Sequence, residues 1–456
     1  MPHPTLILGG GLAGLAAAVA LALHHQPVTL LESKPRLGGR ASSFPDPTTG
    51  ELIDLCQHVA MGCCTNFAHF CKTLGLSHFL TPQPDLFFMT PDRRVTRFGG
   101  DRLPAPLHLA RGFMRLHTLT LGEKMRVAYA LHYLKRETDD DPPFADWLAA
   151  HRQTPRIVER FWSVILTSAL NETPDRVGLR YARKVFVDGF LTHPRGFEVE
   201  LPNVPLGRLY GVELQSWLRD HGVEVVVSAP VRRIQIENGR AVGVELRSDE
   251  VLPAEQLVSA LAFERLLDVL PADVIDGTPT FANLRNLTHS PITSVHAWFD
   301  RSATELPHVV LVDCLGQWVF NRGEVTPGEH YLQVVVSAAR LLRDLGRDET
   351  ERRVTAELRD LFPSLQGATL RRAKVITDQL ATFSAAPGVD RWRPTQQSPL
   401  ANLYLAGDWT ATGWPATMEG AVRSGYLAAE ALLKNLGRTV KCLQPDLGKT
   451  SPKKEE

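Results

Sequence analysis

Leu6-Ile7-Leu8-Gly9-Gly10-Gly11-Leu12-Ala13-Gly14 opens the chain, and an alanine-rich stretch carries it on to Val28-Thr29-Leu30-Leu31-Glu32-Ser33. These parts read as an apolar strand, a G-x-G-x-x-G turn, a helix, a second apolar strand and an acid at its tip. That order predicts a βαβ unit built to hold a dinucleotide. Gly9 lets the chain turn sharply out of the strand, Gly11 lets backbone N–H groups approach a pyrophosphate, and Gly14 lets helix and strand pack closely. A helix beginning at Leu12 and Ala13 points its positive end at the phosphates. Glu32 follows Gly14 by 18 residues and stands where a ribose hydroxyl needs an acceptor. A glycine fingerprint alone is also what an ordinary turn shows. The complete set of elements decides for nucleotide binding.

Working outward, Pro35-Arg36-Leu37-Gly38-Gly39-Arg40 suits a loop that returns to the pyrophosphate, with Arg40 placed to pair with phosphate. A helix is expected over Leu206 to His221, with Leu209, Val212, Leu214, Trp217 and Leu218 as its apolar face. A strand follows at 223–227, then one beginning near Val231, a hairpin turn at Asn238-Gly239, and a buried strand at 256–261. Asn402-Leu403-Tyr404-Leu405-Ala406-Gly407-Asp408 reads as a strand ending in Gly-Asp, after which residues 414–421 open a helix running to about 434. The expected fold is α/β. A Rossmann-like dinucleotide-binding domain (residues 1–80, 200–284 and 386–440) is interrupted by a discontinuous α+β substrate domain (81–199 and 285–385). A disordered tail is expected over 441–456.

Composition narrows the function. The chain has 456 residues, 44% hydrophobic and 22% charged, enough for two or three domains. Lys+Arg and Asp+Glu each number 50, so nothing electrostatic recommends nucleic acid as a partner. Six cysteines without paired C-x-x-C spacing suit a reducing cytoplasm and no metal site. Leu6 to Leu23 lacks charge, but no basic segment precedes it and glycines interrupt it. Neither a cleaved signal nor a membrane span is expected.

Two narrower stretches carry a resemblance. Ile53-Asp54-Leu55-Cys56-Gln57-His58-Val59 leads into Gly62-Cys63-Cys64-Thr65-Asn66, and Gly407-Asp408-Trp409-Thr410-Ala411-Thr412-Gly413-Trp414-Pro415-Ala416-Thr417-Met418-Glu419-Gly420-Ala421 completes the set. With the glycine fingerprint, they resemble the flavoprotein superfamily of amine oxidases and carotenoid desaturases. Within it the chain is similar to the hydroxysqualene dehydroxylases, the squalene-associated desaturase-like enzymes of hopanoid pathways. One position departs: the family usually reads Asp-Asn-Gly-Gln-His, and here Cys56 replaces the glycine.

The resemblance implies non-covalent FAD held by Gly9, Gly11, Leu12, Ala13, Gly14, Glu32, Gly38, Gly39, Arg40, Val231, Gly407, Asp408 and Met418. It also implies reductive removal of the hydroxyl of hydroxysqualene to give squalene. Hydroxyl is a poor leaving group, so an acid is expected nearby, with Asp54, His58, Cys63 and Cys64 as candidates. Asp54 fits that role if burial raises its pKa. His58 as a core histidine and Cys63-Cys64 as small buried residues are the competing readings. Two other functions stay open: desaturation of a phytoene-like isoprenoid, and a flavin-binding scaffold for squalene-synthase-like partners.

A long-chain isoprenoid substrate implies peripheral contact with a membrane at its inner face. An apolar entrance is expected over residues 100–135, where Leu103, Leu107, Leu109, Phe113, Met114, Leu116, Leu119 and Leu121 lie among Arg102, Arg111, Arg115 and Lys124.

Overall fold

The computed structural model describes residues 4–137 and 141–448. The opening stretch folds as read: strand Thr5–Leu8, helix Leu12–Leu23, strand Val28–Leu31. Both strands are buried throughout, as in a parallel sheet covered on two faces. The sheet has five strands in the order 223–226, 28–31, 5–8, 257–259, 403–405, all parallel. The chain therefore leaves this layer three times, after 31, 226 and 259, and returns to complete it.

Small residues set the packing depth. Every residue of the Leu12–Leu23 helix except the last is buried, and its alanines let the C-terminal helix Met418–Asn435 lie close against it. A Cβ at Gly425 would come within 2.3 Å of the Ala13 carbonyl oxygen. A Cβ at Gly14 would come within 2.0 Å of the Gly9 carbonyl oxygen.

The second large layer is a seven-stranded sheet, ordered 370–383, 289–299, 329–337, 318–326, 308–311, 85–89, 95–99. Only the 308–311 and 85–89 pair is parallel. One face packs on the helix Arg347–Leu361 through Val295, Ala297, Phe299, Leu332, Val334, Val354 and Leu358. The other face turns toward residues 53–59, through Trp298 and Tyr331 against Ile53, and Val335 against Cys56 and Val59. A three-stranded antiparallel sheet (231–237, 240–246, 251–253) turns at Asn238-Gly239, both at positive φ.

Two expectations need correction. The single helix over 206–221 is broken into Leu206–Leu209 and Val212–Asp220 at Tyr210-Gly211. Glycine is a poor helix residue, and the break lets buried Tyr210 reach the sulfur of Met418 at 3.8 Å. The phase shift leaves Val212 exposed instead of on the apolar face. The expected disordered tail is packed over residues 441–448: Cys442 is buried, Thr65 donates to the Pro445 carbonyl at 2.9 Å, and Asp446 meets Arg423 at 2.9 Å. Residues 449–456 lie outside the described residues. The apolar cluster of 100–135 splits, with Leu109, Leu116 and Leu119 in the core and Leu103, Leu107, Met114 and Leu121 exposed. Among the described residues, no helix is long and apolar enough to cross a membrane.

Candidate functional site

Two glycine loops face each other across the carboxyl ends of the parallel strands. Gly11 and Gly38 form an isolated parallel bridge, and Gly38 N–H donates to the Gly10 carbonyl at 2.8 Å. Gly38 and Gly39 hold φ of 100° and 60°, a conformation that side chains resist. A Cβ on Gly39 would reach 3.0 Å from Gly11 Cα. The resulting cleft is bare backbone at the N-terminus of a helix whose cap, Gly11, has no side chain to satisfy the first N–H groups. An anion fits there.

Glu32 closes the second strand as read. Its Oε2 accepts from Gly10 N–H at 2.7 Å and its Oε1 from Lys34 N–H at 2.7 Å, which fixes the carboxylate beside the glycine turn. Val231 begins the strand that leaves this layer after Ala229 N–H has bonded the Glu32 carbonyl at 2.9 Å. Arg40 donates to Asp408 at 2.7 Å and to the Ala381 carbonyl at 2.9 Å. Its head group thus joins the second glycine loop to the end of the last parallel strand. Gly407, at φ 145°, lets Trp409 fold back so that its indole N–H donates to the Leu261 carbonyl at 3.0 Å.

Arg393 escaped the sequence reading. It is buried and gathers the 408–414 loop, donating to the carbonyls of Asp408 (2.9 Å) and Trp414 (2.8 Å), to that of Thr410, and to Tyr181 and Asp390. Nothing in its flanking residues marks it, because most of its partners are backbone oxygens scattered along a loop. Glu419 was missed as a partner too. Its buried carboxylate accepts from Asn66 N–H (3.2 Å), Asn66 Nδ2 (2.8 Å) and Phe67 N–H (2.8 Å), capping the helix Thr65–Thr73. Burial pushes its pKa up, against the pull of those donors.

The four candidate catalytic residues occupy one stretch but different environments. Asp54 is buried, and burial raises its pKa. Its Oδ1 accepts from Ser43 Oγ at 2.5 Å and Leu206 N–H at 2.8 Å, while Oδ2 faces Arg322 at 4.0 Å. His58 sets its Nδ1 3.0 Å from the Cys56 carbonyl, and burial lowers its pKa. It lines a cleft with Phe67, Leu206, Tyr210 and Met418. Cys56 is pushed up to about 12 by burial, with Asp54 and Asp378 adding, so it stands there as a neutral thiol. Cys63 and Cys64 are free thiols. A hydrogen bond with Cys63 and then burial hold Cys64 well above the ordinary thiol value, so no thiolate is available at that position. Among the described residues, no group of side chains could hold a metal ion.

Fold and cleft together define a dinucleotide-binding protein, with bare backbone and an uncapped helix N-terminus for a pyrophosphate and an acid for a ribose. The chain belongs to the flavin containing amine oxidoreductase family, whose profile matches residues 12–433, and FAD is its cofactor. It is 27% identical over 458 residues to 15-cis-phytoene desaturase of Synechococcus elongatus, covering 94% of this chain and 95% of the relative. To zeta-carotene desaturase of Zea mays it is 24% identical, covering 92% and 81%. Among solved structures, an oxidoreductase from Methanosarcina mazei superposes with a TM-score of 0.72 at 16% identity, covering 95% of this chain and all of that one. Wild-type putrescine oxidase bound to putrescine gives 0.71 at 14% identity, covering 95% and 99%.

Proposed function

We propose that the chain transfers two electrons between FAD and a long-chain isoprenoid, and that the reaction is reductive removal of an allylic hydroxyl, hydroxysqualene giving squalene. The carrying observation is that the two narrow stretches of the resemblance meet in space. Glu419 of the C-terminal stretch caps the helix that Cys64-Thr65-Asn66 begins. They form one structural unit beside the cleft that His58, Tyr210 and Met418 line. Bound FAD supplies the redox chemistry. The change breaks the C–O bond, forms a C–H bond and releases water, consuming two electrons and two protons. The chain's part is to exclude water and to offer a proton near the leaving oxygen. Burial favours the protonated form of Asp54, which suits that task.

A second reading, oxidative desaturation of a phytoene-like isoprenoid, is favoured by the named relatives. An anaerobic experiment separates the two. Photoreduced holoenzyme mixed with hydroxysqualene is expected to reoxidise in step with squalene formation. A flavin that stays reduced there, with oxidised enzyme bleaching on phytoene, would replace the first reading by the second.

Delivery of such a substrate fits one surface. Leu121, Met125, Tyr129 and Tyr133 form an exposed stripe at every fourth position of the helix Leu121–Leu134. Arg126 on this helix, Lys135 and Arg136 just past its end and Arg115 on the helix Ala110–Arg115 that touches it are exposed as well. We propose that this face docks on an anionic bilayer. Met125→Asp with Tyr129→Asp is expected to abolish co-sedimentation with phosphatidylglycerol vesicles. Undiminished co-sedimentation would overturn the docking.

A further inference from the structure

The inner face of the seven-stranded sheet carries polar groups that the reaction above leaves unused. Along His289–Phe299, residues Val295, Ala297 and Phe299 point to the outer core, so Ser294, His296 and Trp298 alternate to the inner face. On Glu329–Ser337, Leu332 and Val334 point outward, and Tyr331, Gln333 and Val335 point inward. His296 and Gln333 are direct cross-strand partners, so their side chains stand together on that face. The same face meets the candidate catalytic stretch. Arg322 donates to Gln57 Oε1 at 3.0 Å, and Trp298 and Tyr331 pack on Ile53.

His296 and Gln333 are both fully buried. Each has one half of its polar capacity used: His296 Nδ1 lies 2.6 Å from the Tyr331 hydroxyl, and Gln333 Nε2 donates to Ser294 Oγ at 2.9 Å. The other halves, His296 Nε2 and Gln333 Oε1, have no partner. Burial lowers the His296 pKa to about 3, with Lys374 and Arg322 adding to the effect. The ring is therefore neutral at pH 7, with one nitrogen donating and the other accepting. If the Tyr331 hydroxyl donates to Nδ1, Nε2–H is left as a donor beside the Gln333 acceptor. A hydrocarbon can satisfy neither atom. A hydroxyl satisfies both, accepting from one and donating to the other.

We propose that His296 Nε2 and Gln333 Oε1 form the subsite that recognises the hydroxyl of an isoprenoid alcohol, a specificity-determining pair. The assignment rests on the dehydroxylation reading and says where that reading's substrate keeps its oxygen. Tyr331 is then a positioning residue that fixes which His296 nitrogen carries the proton, and Ser294 holds the Gln333 amide.

Binding to oxidised holoenzyme, which cannot reduce the alcohol, isolates recognition from chemistry. The flavin absorbance near its long-wavelength band is titrated with hydroxysqualene and, separately, with squalene. Wild type is expected to prefer the alcohol by about 10- to 100-fold, the range that a buried, otherwise unpaired polar group imposes. Gln333→Met and His296→Phe are each expected to bring that preference below about threefold while leaving squalene affinity unchanged. Tyr331→Phe, which frees the tautomer, should lower the preference by a smaller factor. Flavin content and melting temperature of each variant show that it is folded, and either main variant suffices for the test. A preference unchanged in the variants would assign both atoms to an internal water and overturn the subsite. Equal binding of alcohol and hydrocarbon by wild type would overturn it as well. Turnover of the alcohol by photoreduced enzyme is read in parallel. Turnover with an unchanged variant preference sinks the subsite alone, whereas the expected binding without turnover sinks the dehydroxylation reading alone.

Discussion

The cofactor cleft and the inner face of the seven-stranded sheet are built on opposite principles. In the cleft, glycines bring backbone within contact distance, and Glu32, Arg40, Asp408 and Arg393 are each fixed by short hydrogen bonds. Little there can move without a clash. On the sheet face, His296 and Gln333 are fixed on one side and open on the other. The contrast is chemical as much as structural. A cofactor that stays bound rewards a site preformed in every atom, whereas a substrate that must enter and leave is met by groups whose last bond it supplies.

Breaking the preformed side should have the largest consequences. In Gly14→Val the new side chain must pass the Gly9 carbonyl oxygen, 2.0 Å from the Cβ position, and neither partner is a flexible side chain. The expected loss exceeds the ~1–3 kcal/mol of ordinary overpacking, and the purified protein should lack its yellow colour. A flavin-to-protein absorbance ratio equal to wild type would refute the close-packing argument. Arg393→Met comes next. It strips the 408–414 loop of its shared donor and leaves the carbonyls of Asp408, Thr410 and Trp414 without it, a disruption of about 3 kcal/mol or more. Thermal melting followed through flavin fluorescence should show a lower transition, with FAD released early because Asp408 is no longer held from behind.

The two regions also differ in how far the sequence discloses them. A nucleotide cleft is local: Gly9, Gly11, Gly14 and Glu32 lie within one βαβ unit, and glycine has few other reasons to recur at that spacing. Both narrow stretches were visible as well, but their contact through Glu419 and Asn66 spans 353 positions and leaves no periodic trace. Arg393 bonds carbonyl oxygens, which no residue type advertises. The sheet face is harder still. Ser294, His296, Tyr331 and Gln333 belong to long strands buried on both faces, where alternation of polar and apolar residues is blurred and only the fold says which side is inward. The broken helix at Tyr210-Gly211 shows the reverse error. Its apolar periodicity was real on either side of the break, yet tertiary demand for Tyr210 under Met418 outweighed helix continuity.

Asp54 sits between the two regions, and Asp54→Asn sharpens what it does. The asparagine carbonyl can keep both hydrogen bonds that Oδ1 accepts, from Ser43 and Leu206, so the change in stability at pH 7 should stay within about 1 kcal/mol. The pH dependence should change in a definite direction. Burial raises the folded-state pKa of Asp54, so its favourable contribution is full below the unfolded carboxylate value and is lost as pH rises through the raised folded value. Wild type should therefore lose stability across that interval, and the variant should lose less. If Asp54 also gives the proton to the departing hydroxyl, turnover of hydroxysqualene falls by about 100-fold or more while FAD stays bound. Full turnover would leave Asp54 as the tie between the 52–54 strand and the 206–209 helix.

The smallest effect belongs to Cys64. Its thiol is held protonated by its neighbour Cys63 and by burial, so it can neither attack nor form a thiolate at neutral pH. Cap duty at the Thr65–Thr73 helix falls to Glu419, not to Cys64, whose side chain makes no capping bond. Cys64→Ala should accordingly change turnover by less than about twofold and stability by no more than the cost of one small, partly buried group, ~1 kcal/mol. A dithiol pair engaged in redox exchange would respond very differently, with turnover collapsing in the variant and with alkylation of wild type at pH 8 having the same effect. The geometry argues for the first outcome. FAD is the cofactor of this chain, and the paired cysteines stand at the entry of a helix whose N-terminus another residue has already satisfied.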